Sequence, residues 1–112
     1  MLDVGTGAGH AAFVFAPRVD RVVATDITQE MLAVVREHAA SLGLTNVEVG
    51  FALAEALPFE PDAFDGLVCR LAAHHFDDPQ AFLREARRVV RPGGWLLIVD
   101  NGGVEDDAAD DA

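Results

Sequence analysis

Lysine is absent from the 112 residues and cysteine occurs once, at Cys69; the 8 basic residues, all arginine, face 19 acids, for a formal charge of -11. A single cysteine excludes an intramolecular disulfide framework and a multi-cysteine zinc site. Cys69 reads as a buried strand thiol. No apolar run approaches the roughly 18 to 20 residues that cross a bilayer, and the N-terminus lacks the basic flank of a secretory signal. The expectation is a cytoplasmic chain with no membrane span. No internal repeat or low-complexity linker interrupts the sequence before the tail that follows Asn101.

Part of the negative charge is local. Five of the 19 acids (Glu105, Asp106, Asp107, Asp110 and Asp111) fall in the tail, yet the remaining 14 still outnumber the 8 bases. Such a balance repels phosphate backbones, so no nucleic-acid partner is expected. The arginine cluster Arg84, Arg87, Arg88 and Arg91 reads instead as a solvated helix face balanced by Glu85 at helical spacing. With 51% apolar and 24% charged residues, the composition is that of a globular domain able to bury one modest core. Residues 1–101 are expected to form that domain and 102–112 an acidic tail.

Five short apolar runs have strand length and are rich in Val, Leu and aromatics: Leu2 to Val4, Val19 to Ala24, Val47 to Phe51, Phe64 to Cys69 and Trp95 to Val99. They read as strands buried on both faces. Helical stretches alternate with them. One runs from Thr28, a candidate N-cap, to Leu42 with Gly43 as C-cap, its predicted apolar stripe being Met31, Val34, Val35, His38, Ala39 and Leu42. His38 on that stripe reads as a core histidine. Another helix begins at Asp78 and Pro79, turns Phe82, Leu83, Ala86, Val89 and Val90 inward, and stops at Arg91 to Gly94. A short helix fits His10 to Ala16. This alternation predicts a Rossmann-like, doubly wound parallel α/β sheet of about five strands in three layers, with ligands at the carboxyl ends of the strands near the first.

The chemistry should therefore follow Val4, where Asp3-Val4-Gly5-Thr6-Gly7-Ala8-Gly9-His10 forms a glycine-rich turn opening a helix. Glycines there let backbone N–H groups approach a ligand without Cβ atoms in the way. In the dinucleotide pattern G-x-G-x-x-G the third glycine would fall on His10, which disfavours a pyrophosphate site and a nicotinamide oxidoreductase. The second strand ends in Ala24-Thr25-Asp26-Ile27-Thr28, placing a carboxylate where it can accept both hydroxyls of a ribose.

Together these segments resemble the class I S-adenosylmethionine-dependent methyltransferases, and within them the type 11 group that includes quinone-biosynthesis C-methyltransferases. The resemblance rests on LDVGTGAGH at 2–10, ATDIT at 24–28, AEALPFEPDAFD at 54–65, LAAHHFDDP at 71–79 and LREARRVVRPGGWLLIVD at 83–100. It implies S-adenosylmethionine as cofactor and a small-molecule methyl acceptor. By the same resemblance Gly5, Thr6, Gly7 and Gly9 form the loop at the methionine part, and Asp3 serves the cofactor amino group. His10 lines that loop. Asp26 corresponds to the ribose-binding acid and Ile27 to the residue that packs on adenine. Leu53 stands where the family usually has the acid that accepts the adenine amino group, with Ala54 as a backbone donor and Glu55 as a possible substitute. Arg70 lies at the fourth strand's tip, among the family's cofactor contacts. His74 and His75 are the candidate catalytic residues, as proton acceptors. No metal site is expected, since the histidine pair has no supported third ligand.

Family members normally carry a helical segment before the first strand and a β-hairpin after the fifth. The expectation is accordingly a truncated core lacking that hairpin, whose fifth strand leaves an uncovered edge and faces open to homodimerisation. The alternative is a non-catalytic module that binds the cofactor or a partner.

Overall fold

A computed structural model describes residues 1–70, 76–100 and 103–106. Its strands are β1 (Leu2–Val4), β2 (Val22–Asp26), β3 (Val47–Phe51), β4 (Phe64–Arg70), β5 (Val90–Asp100) and β6 (Gly103–Asp106), and its helices α1 (His10–Phe15), α2 (Gln29–Ser41) and α3 (Pro79–Val89). They form a single sheet in the order β3-β2-β1-β4-β5-β6. The first five strands are mutually parallel. The chain grows outward from β1 in both directions, so the topological switch lies at β1, as a Rossmann-like arrangement requires.

Side-chain alternation sorts the two cores. Leu2, Val4, Leu67, Cys69, Leu96 and Ile98 meet Phe82, Ala86 and Val89 of α3. Their strand neighbours Val22, Ala24 and Val68 meet Ala12 of α1 and Val35 of α2 on the opposite face. A period of two thus feeds both layers from each strand. The exception to burial on both faces is β3, an edge strand where Glu48 and Phe51 are exposed.

Two local features depend on glycine. A Cβ at Gly66 in β4 would overlap the indole of Trp95 on β5, and that indole stacks on Phe15 with centroids 5.8 Å apart. Opposite Phe64 to Gly66 the ladder slips, with Val90 and Trp95 as the paired residues of β5. Arg91-Pro92-Gly93-Gly94, expected to end a helix before the strand, is instead a bulge within β5: Gly93 has φ 81, and a Cβ at Gly94 would lie 2.6 Å from the Asp65 carbonyl oxygen.

Three further expectations are revised. The buried stripe of α2 is Leu32, Val35 and Ala39, whereas Val34, His38 and Leu42 are exposed. His38 is therefore a surface residue, in edge contact with Phe13 at 4.9 Å. The stripe expected from the apolar residues is thus rotated by about one position, taking in the exposed Val34 and Leu42 and omitting the buried Leu32. The edge of β5 is not bare either: β6, formed by residues of the acidic tail, pairs antiparallel with Leu97 to Asp100. Charge density hid this strand, since Glu and Asp are poor strand formers by propensity.

Candidate functional site

At the carboxyl ends of the strands a cleft of about 320 Å³ opens between the turns that follow β1, β2 and β3. Gly5, Asp26, Ile27, Leu53 and Ala54, all singled out from the sequence, line it. Ile27 and Leu53 are 61% and 49% exposed, so this cleft holds two large apolar side chains that the fold leaves uncovered. Glu55 continues the Leu53 side, and Phe76 and Asp77 complete the far side. A larger cavity of about 520 Å³ at the amino ends of the strands is lined by Arg18, Arg21, Arg91, Asp62 and Asp65 among others, and by none of the predicted ligand residues.

Asp26 connects the turns. Its Oδ2 accepts the Gly7 N–H at 2.9 Å and its Oδ1 the Thr28 N–H at 3.0 Å. One carboxylate thereby joins the glycine turn after β1 to the N-cap of α2, where Thr28 makes no side-chain cap of its own. Three glycines of the turn take positive φ (Gly5 67, Gly7 56 and Gly9 89) but serve different ends. A Cβ at Gly7 would project into open space, whereas one at Gly9 would lie 2.9 Å from the Phe13 ring and 3.2 Å from Val35. Gly7 leaves room beside the turn; Gly9 lets α1 pack.

Asp3 lies on the α1 face of β1, only 1% exposed. Thr6 donates from Oγ1 to its Oδ2 at 2.8 Å. The N-cap of α1, Gly9, makes no side-chain cap hydrogen bond. Burial pushes the Asp3 carboxyl up to about 7; the Thr6 and Ala12 hydrogen bonds oppose that, Asp26 adds to it and Arg70 opposes it. Thr6 is buried, its own N–H bonded to the Thr25 carbonyl at 2.8 Å. His10, the first residue of α1, and Arg70, the last of β4, are exposed and do not line the cleft. His74 and His75 lie outside the described residues.

The far wall has an organisation that the sequence did not reveal. Glu55 Oε2 accepts the N–H groups of Asp77 at 3.0 Å and Asp78 at 3.3 Å. Farther along α3, Glu85 accepts the Leu57 N–H at 2.8 Å, and Arg88 donates to the Leu57 and Phe59 carbonyls at 2.8 and 2.7 Å. Arg88 also bonds Glu85 through Nε at 2.8 Å, which holds the Glu85 carboxyl below its ordinary value. The arginine read as part of a solvated face is therefore a clamp on the loop after β3. Only the Glu85-Arg88 spacing hinted at it.

The donor set fits a nucleoside bearing a cationic group: an acid for hydroxyls, apolar walls for a flat ring, open backbone at Gly7 and a buried carboxyl nearby. The Rossmann-like sheet carries this cleft at its switch point, where such sheets hold ligands. The sequence matches the family described as a methyltransferase domain over residues 2–98. It is 42% identical over 111 residues to the uncharacterised methyltransferase YcgJ of Bacillus subtilis, covering 99% of this chain and 44% of that protein. With the ubiquinone/menaquinone biosynthesis C-methyltransferase UbiE of Enterobacter sp. (strain 638) it shares 36% identity over 104 residues, 89% of this chain and 41% of the relative. Among solved structures, Bacillus subtilis YcgJ superposes with a TM-score of 0.87 at 44% identity, covering 88% of this chain and 42% of that one. A SAM-dependent methyltransferase from Aquifex aeolicus gives 0.82 at 34% identity, covering 88% and 54%. The chain belongs to the methyltransferase-domain family, and it spans less than half the length of these curated relatives.

Proposed function

We propose that this chain binds S-adenosylmethionine in the cleft at the carboxyl ends of β1, β2 and β3, and that it serves methyl transfer to a small-molecule acceptor. The observation that carries the reading is Asp26, held by the Gly7 and Thr28 N–H groups beside the apolar side chains of Ile27 and Leu53. A carboxylate has about four acceptor positions, so ribose hydroxyls can donate to Asp26 without displacing either internal bond. Ile27 and Leu53 would pack on the adenine ring, and Ala54 would offer its edge a backbone N–H. Asp3, at the root of the glycine turn, would favour the cationic methionine end when ionised. His10 and Arg70 would act from the rim.

Bound S-adenosylmethionine supplies a methyl group on a sulfonium sulfur, open to displacement by a nucleophile. The work of this chain is then to hold and orient, since alignment accounts for most of the acceleration in such a displacement and a protein base is optional. His74 and His75 are the proposed acceptors of a proton from a hydroxyl or amine nucleophile.

Calorimetric titration with S-adenosylhomocysteine and, separately, with NAD tests this function. Micromolar binding of the first, with NAD weaker by about tenfold or more, is the expected outcome. Tighter binding of NAD would overturn it in favour of a dinucleotide site, and a folded chain binding neither would be a module without this cofactor.

A further inference from the structure

We propose that Glu55 is a positioning residue that sets the shape of the cleft at its Leu53 wall by fastening the turn after β3 to the segment leading into α3. The proposal rests on the cofactor reading above. Leu53, Ala54 and Glu55 form one side of the cleft at this end, and Phe76 and Asp77 the other. Glu55 Oε2 bridges the two sides, accepting the Asp77 and Asp78 N–H groups at 3.0 and 3.3 Å.

Each bridged side is otherwise well anchored. The Leu53 turn, which includes Glu55, is closed by the Ala56 N–H on the Leu53 carbonyl at 3.1 Å. Across the cleft, the Phe76 ring contacts the buried Phe82 at 4.9 Å, and Asp78 caps α3 by accepting the Ala81 N–H at 3.1 Å. Beyond Ala56, the loop is gripped again by Glu85 and Arg88. Within this frame Glu55 is the one side chain among the described residues that ties the cleft-lining part of the turn to the cleft-lining part of the α3 approach. Its carboxylate also sits at the positive end of the α3 dipole, where an acceptor is favoured. Without it, water takes the two N–H groups and the Leu53 wall is no longer registered against Phe76.

The role is distinct from direct contact with the ligand base, and the two predict different specificities. Wild type, E55A, E55Q and E55D of the 112-residue chain are titrated with S-adenosylhomocysteine and with S-inosylhomocysteine, which lacks the exocyclic amino group, and are melted by circular dichroism. Gln keeps the length and an acceptor oxygen, so E55Q should bind within about threefold of wild type, while E55A and the shorter E55D should each weaken by about tenfold. The loss should be the same factor for both ligands. Equal affinity of E55A and wild type overturns the proposal, as does E55Q behaving like E55A. A loss confined to S-adenosylhomocysteine overturns it too, because Glu55 would then be reading the amino group. Should E55A not fold, E55D against E55Q decides by the same criteria. Wild type failing to bind either ligand overturns the cofactor reading and this role together, whereas the other contrary outcomes overturn the role alone.

Discussion

The backbone N–H of Gly7 donates to Asp26 Oδ2 at 2.9 Å, across 19 residues of sequence. The glycine turn and the acid at the tip of the neighbouring strand are therefore one assembly before any ligand arrives. The second carboxylate oxygen extends that assembly to Thr28 and the start of α2. Preorganisation of this kind lowers the ordering cost of binding.

Packing between β4 and β5 should fail if a side chain is added at Gly66. Gly66→Ala places a methyl group within the volume of the Trp95 indole, which is itself stacked on Phe15. Overpacking of a well-packed core costs about 1–3 kcal/mol, and here the larger figure is expected because the Trp95 ring that must move is itself stacked on Phe15. Chemical denaturation of the variant checks it; a wild-type midpoint would show that Trp95 moves freely.

Asp3 should make stability fall as pH rises. Its carboxyl is raised in the folded chain to about 7 from 3.8, so between those values the folded state binds more protons than the unfolded state. The stabilisation is complete below about pH 4, declines through neutrality and is flat above the folded pKa. Asp3→Asn, still able to accept from Thr6, removes this dependence. Denaturation curves of wild type and D3N at pH 5 and 8 should thus differ more at one pH than the other, with wild type losing ground at pH 8. A constant difference would place the Asp3 pKa near that of an ordinary carboxylate.

Leu53→Asp should improve recognition of adenine. The exposed Leu53 lines the cleft, and a carboxylate there would accept a donor from the ring edge. The gain in S-adenosylhomocysteine affinity should be about 1–3 kcal/mol, roughly five- to 150-fold, with none for S-inosylhomocysteine. An equal gain for both ligands would mean that the new charge acts at long range.

Much of the fold was legible in the sequence because buried parallel strands are short, continuous apolar runs; β1 and β3 have the predicted ends, and α3 begins at the expected Asp78-Pro79 step. The tip of β2 was legible because a carboxylate following an apolar strand stands out. What escaped depends on tertiary contact. Nothing local distinguishes Gly9, which makes room for Phe13 and Val35, from Gly7, which borders open space. Arg88 looked like its exposed neighbours Arg84 and Arg91 until the loop carbonyls of Leu57 and Phe59 came within reach. Strand β6 was concealed by acidic residues whose pairing is set by the adjacent edge of β5.

The central claim, a cofactor site organised on Asp26, is tested most directly by calorimetric titration of wild type and Asp26→Ala with S-adenosylhomocysteine under identical conditions. Removing the carboxylate should cost about 2–4 kcal/mol of binding, roughly thirty- to a thousandfold in affinity, in a variant that still folds. Unchanged affinity in D26A would remove Asp26 from the site and contradict the account.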